Sequence, residues 1–223
     1  MVPRKKNPLW FILTLIILLL FGSFVKGTFA LTTEEEKKLG RKILLEIEKR
    51  TEVEKDLSLQ TFIDRVGRSL VAQIGPSPFE FKFFLINTQD PNAYAIPGGY
   101  VFVTTGLLVL AESEHEVAGV LSHEIAHVTG RHVAQLIEKS KRLSLASLGA
   151  ILAGVLLGGG GPTTEAVAAM SMATAEAYAL KYTREMEVDA DQNGLHTLIK
   201  AGYDPNGLIT FFQKIHKMSL ISA

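Results

Sequence analysis

Apolar residues recur along the chain in blocks of different period, and each period predicts a different element. After residue 30 the sequence turns abruptly polar at Thr32-Thr33-Glu34-Glu35-Glu36, a threonine cap followed by carboxylates that suit the N-terminus of a helix. Leu39, Ile43, Leu44 and Ile47 follow at helical spacing, so the pattern predicts a helix over about 33–50 with one packed face. Its Lys/Glu positions read as solvated surface. A second helix is predicted over about 58–73 from Leu59, Phe62, Ile63, Val66, Leu70 and Val71, stopped by Gly75-Pro76-Ser77-Pro78. Phe79–Ile86 and Tyr100–Thr105 are aromatic and β-branched runs separated by the turn-rich Asn87–Gly99, which predicts a small antiparallel sheet. Helical spacing returns from Glu112 to about Lys139, and a last helical region runs from about Thr164 through Leu198, in one piece or two.

Two apolar blocks lack such alternation. Arg4-Lys5-Lys6 precede Leu9–Val25, a stretch interrupted only by Thr14, Gly22 and Ser23, and Thr28-Phe29-Ala30 offers a small-residue cleavage site. Its 17 residues give roughly 25 Å as a helix, short for a full span yet longer than most signal cores. Residues 1–30 are therefore expected to be a cleaved signal or a retained membrane anchor, and residues 31–223 the working domain. Either choice puts that domain outside the cytoplasm, periplasmic or held at the outer face of the inner membrane, because the basic flank stays inside. Leu143–Leu157, ending at Gly158-Gly159-Gly160-Gly161-Pro162, is below span length and reads as a buried or surface-docking helix, with membrane contact as the other reading.

Composition narrows the chemistry. The 223 residues suit one domain with an extension. With Cys at 0 there is no disulfide, thiol nucleophile or Cys-ligated metal, so any metal must sit on His and carboxylate. Lys+Arg and Asp+Glu are both 23, but the four basic residues of 1–30 (Arg4, Lys5, Lys6, Lys26) face no acid, which leaves 19 against 23 and a formal −4 beyond residue 30. That balance argues against nucleic acid as a partner. The mean hydropathy of +0.22 comes in large part from the uncharged Asn7–Val25 run.

His123-Glu124-Ile125-Ala126-His127 is an H-E-x-x-H motif within the helical block. Residues four apart lie about 40° apart around a helix and about 6 Å along it, so both imidazoles can reach one tetrahedral ion. Glu124 projects beside them and could take a proton from a water that the metal has acidified and pass it to a leaving amine. With 6 His among 223 residues, independent placement produces the pattern in roughly 1 % of such chains. The extended motif H-E-x-x-H-x-x-G-x-x-H fails, because Gly130 is in place but position 133 is Val. A carboxylate on a second helix is the alternative source of a third ligand, and Glu187 and Asp191, at i and i+4, share a face. One could bind metal while the other stands behind it or near substrate. Arg184, three residues before Glu187, could hold a carboxylate in place. His132 lies about 140° further round a continuous helix than His127, so it is expected to pack or to orient a carboxylate; His115, His196 and His216 are expected to be structural.

These residues carry a family resemblance. Leu39-Gly40-Arg41, Asn92-Ala93-Tyr94-Ala95, Pro97-Gly98-Gly99-Tyr100, Thr105-Gly106-Leu107-Leu108, His123-Glu124-Ile125-Ala126-His127-Val128 with Arg131-His132, and Arg184-x-x-Glu187-x-x-Ala190-Asp191-x-x-Gly194 occur in order. The chain resembles the M48 family of zinc metallopeptidases, more closely its periplasmic BepA-like and Oma1-like branch than the multi-span branch. The resemblance implies one zinc ion on His123, His127 and Glu187, with Glu124 as general base and Asp191 as proton donor or transition-state stabiliser. It implies an α+β, mostly helical, gluzincin-like zincin domain whose small sheet packs on the active-site helix. Tyr100–Thr105 is expected to be the edge strand that receives extended substrate backbone. Related periplasmic members continue beyond the last helix, so the domain is expected to be minimal or C-terminally incomplete. The expected substrates are unfolded or misassembled envelope proteins. The rival expectations are a non-catalytic, chaperone-like envelope protein with a zinc site, which would have no use for Glu124, and a metal-dependent hydrolase acting on something other than peptides.

Overall fold

A computed structural model describes residues 31–50, 54, 56–139 and 184–221. The apolar leader, the Leu143–Leu157 block and the first part of the Thr164–Leu198 region fall outside them. Among the described residues no helix is long and apolar enough to cross a membrane.

Helix α1 (Thr33–Arg50) begins at a reciprocal capping box. The Glu35 amide donates to Thr32 Oγ1, and the Thr32 amide and hydroxyl donate to Glu35 Oε2. Helix α2 (Leu57–Val71) starts at Asp56, whose carboxylate accepts from the amides of Ser58 and Leu59. Three strands follow, β1 (Lys82–Ile86), β2 (Ala93–Ile96) and β3 (Tyr100–Thr104), then helices α3 (Thr105–Leu110), α4 (Glu114–Thr129), α5 (His132–Lys139), α6 (Arg184–Lys200) and α7 (Asn206–Ile221). The fold is mostly helical with one small sheet, as expected from the sequence.

The pairing inside that sheet differs from the expectation. The order is β1-β3-β2, with β1 parallel to β3 and β2 antiparallel to it, so the sheet is mixed. The turn-rich stretch hid β2, only four residues long. Pro97-Gly98-Gly99 turns β2 into β3 with φ of +90° and +95° at the two glycines, a backbone that residues with a Cβ rarely adopt. The loop before β2 wraps round the end of β3. Thr104 Oγ1 donates to the carbonyls of Asp90 and Asn92 and accepts from the Asn92 amide, while Thr105 Oγ1 donates to the Thr88 carbonyl. These bonds carry the chain past β3 and place β2 on its far side from β1.

Consequently β3 is the central strand, and the expectation that Tyr100–Thr105 is an edge is corrected. The outer side of β1 is closed, since the Glu54 amide donates to the Leu85 carbonyl and Gln60 Nε2 to the Phe83 carbonyl. The open edge of the sheet among the described residues is β2.

Side chains alternate across the strands as the pleat requires. Phe83, Leu85, Ala95, Val101 and Val103 join Ile63, Val66 and Leu70 of α2 and Val117, Leu121 and Ile125 of α4 in the main core. Tyr94, Ile96, Phe102 and Ile86 face the other way and pack with Leu39, Ile43 and Ile47 of α1. Burying one such aliphatic side chain stabilises by about 1.5–3 kcal/mol, so both faces of the sheet contribute. Helix α4 is buried from Glu116 to Val128 and packs most extensively on α6 and α7. Close approach is allowed by glycine: a Cβ on Gly119 would stand 2.6 Å from the Leu208 backbone nitrogen.

The single helix expected over Glu112–Lys139 is two. Arg131 takes φ of +53°, a left-handed conformation unusual for a residue with a side chain, and it ends α4 and starts α5 in a new direction. The turn is held from outside, because Arg131 Nε lies 2.7 Å from Glu36 Oε2 and Arg131 Nη2 donates to the Leu31 carbonyl. Glu36 is buried, so the charge run at the head of α1 is not all solvated surface.

Candidate active site

Helix α4 holds His123, Glu124 and His127 in the interior, at 6 %, 9 % and 2 % exposure. The four-residue spacing brings the two Nε2 atoms within 3.0 Å of each other. Helix α6 crosses against them, and Glu187 Oε2 stands 3.6 Å from His123 Nε2. The donor atoms of His123, His127 and Glu187 all lie within 4.8 Å of one another, a group able to hold a metal ion. Ligands of one tetrahedral zinc stand about 3.3 Å apart, close to the separations here, and two imidazoles with a carboxylate and no thiolate are a zinc donor set.

Burial sets the protonation of the site. It drives the His127 imidazole down to about 3, with the neighbouring His123 and His132 adding to the effect, so the ring is neutral with a lone pair to offer a metal. His123 is lowered by burial too, and Asp191 partly offsets this. Glu124 is pushed up to about 8, first by burial and then by the charge of Glu187, while a hydrogen bond from the Ala95 amide pulls the other way. Thr104 donates its amide to the Asn92 carbonyl, so antiparallel alternation turns the backbone groups of Ala93 and Ala95 outward from β3. Glu124 therefore sits against the open edge of β2, so a carboxylate of raised pKa and an unpaired strand edge meet at one point.

Every residue singled out for the site in the sequence converges here except Arg184, which is exposed at the start of α6 and makes no ion pair among the described residues. Asp191 Oδ1 is 3.0 Å from His123 Nδ1, behind the ring from its Nε2, at an angle too oblique for a well-formed hydrogen bond. This places Asp191 behind His123 and outside the His123/His127/Glu187 donor group. His132 is not on the continuation of α4; the Arg131 turn swings its ring so that Nδ1 is 2.9 Å from His127 Nδ1 and Nε2 is 3.2 Å from Asp189 Oδ2. His115 accepts from the Asp204 amide.

Two neighbours escaped the sequence reading. Asp189 was visible only as one acid of a charged run. Phe212 of α7 meets the His123 ring edge to face, with centroids 5.2 Å apart and planes at 85°, and nothing in its spacing distinguishes it from a core residue.

The fold and the site together are those of the H-E-x-x-H metallopeptidase class. The profile of peptidase family M48 matches residues 57–221, and the chain belongs to that family. A Vibrio cholerae protein provisionally named a beta-barrel assembly-enhancing protease is 38 % identical over 194 residues, covering 85 % of this chain and 40 % of its own length. The beta-barrel assembly-enhancing protease of Escherichia coli (strain K12) is 32 % identical over 161 residues, 72 % of this chain and 33 % of its own. The mitochondrial metalloendopeptidase OMA1 of Schizosaccharomyces pombe is 30 % identical over 154 residues, 69 % of this chain and 43 % of its own. The chain thus spans less than half the length of these relatives.

Proposed function

We propose that this chain is a zinc-dependent endopeptidase of the cell envelope that cleaves extended segments of unfolded or misassembled proteins. The observation that carries the reading is the meeting of Glu124 with both the buried His123/His127 pair and the open edge of β2. His123 and His127 would hold zinc through Nε2 and Glu187 through its carboxylate. The ion, when bound, would supply Lewis acidity toward a peptide carbonyl and lower the pKa of water to about 7.

The chain's own residues do the rest. Glu124, whose basicity is raised by burial, accepts a proton on its carboxylate and delivers it to the nitrogen of the leaving amine. The opposing electric field of a cation would keep it ionised before the reaction. Extended backbone laid along β2 pairs with the outward groups of Ala93 and with the Ala95 carbonyl, the Ala95 amide being engaged by Glu124, which sets the scissile bond beside Glu124. Phe212 walls the site with an apolar ring. Asp191 backs the His123 ring from 3.0 Å at Nδ1 with its carboxylate charge. Because an edge strand recognises backbone, folded proteins are cut only where they open locally.

Envelope localisation is supported by the basic-then-apolar start of the sequence and by the relatives named for beta-barrel assembly. The rival is a chaperone-like binding protein that holds zinc for stability. Metal content and cleavage of casein by the full chain and by Glu124→Gln separate the two. The expected result is one zinc per chain in both proteins and cleavage by the native chain alone. Zinc in both with no cleavage by either favours the binding protein, and no zinc in the native chain removes the site.

A further inference from the structure

Building on the reading of His123 and His127 as metal ligands, we propose that His132 and Asp189 are positioning residues for the metal centre, locking the His127 ring with Nε2 turned toward the ion. The argument starts from the buried His127 ring. Its Nε2 faces His123 Nε2 at 3.0 Å, and its Nδ1 faces His132 Nδ1 at 2.9 Å. A neutral imidazole carries one donor and one acceptor. If the Nε2 lone pair goes to the metal, the hydrogen of His127 sits on Nδ1 and must be donated, so His132 Nδ1 accepts. The hydrogen of His132 then sits on its Nε2, which lies 3.2 Å from Asp189 Oδ2, and an ionised carboxylate can only accept. One set of tautomers fits both the His127–His132 hydrogen bond and the ion-pair contact of His132 Nε2 with Asp189 Oδ2. The reversed set would point an N–H of His127 at the metal.

The surrounding backbone is arranged for this contact. The left-handed Arg131, tied to buried Glu36, is what aims His132 back at α4. Gly130 clears the space for the ring, since a Cβ there would stand 2.5 Å from His132 Nε2. Helix α6 then carries three acids at successive even steps: Glu187 toward the donor cluster, Asp191 toward His123 and Asp189 toward His132. About 200° separates Glu187 from Asp189 around the helix, so the two acids flank opposite sides of its buried face and grip the site from both.

The test uses the full chain and zinc alone, with affinity measured by competition against a chromophoric chelator, and the visible absorption bands of the cobalt-substituted protein as a report on ligand geometry. His132→Leu removes the acceptor and should weaken zinc binding about 10- to 100-fold and shift the cobalt bands. His132→Asn places Oδ1 near the former Nδ1 and should restore affinity to within a few-fold of the native protein. Asp189 is half exposed, so Asp189→Asn leaves the fold intact and remains informative if His132→Leu does not fold; it should also weaken binding and shift the bands. Native affinity and native bands in Asp189→Asn, or in a folded His132→Leu, overturn the positioning role while leaving the metallopeptidase reading standing. Failure of the native chain itself to bind zinc, with His123→Ala no different, overturns both.

Discussion

Gly194 of α6 lies against His123 of α4 so closely that a Cβ at position 194 would stand 3.1 Å from both the nitrogen and the Cα of His123. The helix that brings the third candidate ligand is therefore seated directly on the backbone of the first. Gly194→Ala would force α6 outward by a few tenths of an ångström. The helix propensity gained, about 1 kcal/mol, offsets much of the overpacking cost of about 1–3 kcal/mol. Thermal stability without metal should change little while zinc affinity falls about tenfold. Unchanged affinity would show that Glu187 does not depend on this contact.

Glu36→Ala should destabilise by about 2 kcal/mol, below the 3–5 kcal/mol of a fully buried pair because Arg131 keeps 34 % of its side chain exposed. Urea denaturation of the metal-free protein checks the figure. The Arg131 turn also seats His132, so zinc binding should weaken in the same variant. A loss of stability with native zinc affinity would mean that the turn holds its shape without Glu36.

If extended substrate pairs with β2, a proline at the outward position should block it without harming the sheet, since edge positions whose N–H points away from the ladder tolerate proline. Ala93→Pro should lower kcat/KM for unfolded protein roughly tenfold, which is the loss of about 1.4 kcal/mol of backbone pairing, and leave zinc affinity unchanged. Cleavage at the native rate would place the substrate elsewhere.

Acid stability should depend on Glu114. Two hydrogen bonds from the Arg65 guanidinium, at 2.8 and 2.7 Å, hold its carboxyl below the ordinary 4.5; partial burial opposes them and the Tyr203 hydroxyl adds to them. A carboxyl lowered in the folded state stabilises fully above its unfolded pKa and loses that contribution as pH falls through the folded value. Glu114→Gln should thus lower Tm at pH 7, and the difference from the native protein should shrink as pH falls below the ordinary 4.5 and through the lowered folded value. A difference that persists into acid would point to a packing role instead.

Local order was legible from the chain. The H-E-x-x-H spacing is a property of one helix, and the helix start at Thr32 follows from a side chain capping an amide three residues on, so neighbours in sequence suffice. Glu187 was legible as one of two carboxylates on a shared helical face, set apart from Asp191 only by a family resemblance, because its partner His123 is brought to it by the packing of two helices.

The sequence by itself determined the two imidazoles on one helical face, the carboxylate beside them, the absence of thiol chemistry and a mostly helical domain, since each depends on residue type and on contacts within a few positions. Tertiary structure alone decided which strand is the edge and where His132 points. The first rests on Thr104 and Thr105 bonding a loop that begins some 17 residues earlier at Thr88 and carries β2 past β3. The second rests on Glu36, 95 positions before Arg131, stabilising a left-handed turn that helical periodicity cannot anticipate. Periodicity reports what a segment prefers, and contacts from elsewhere in the chain, here Glu36 and the Leu31 carbonyl on Arg131, decide where the helix breaks.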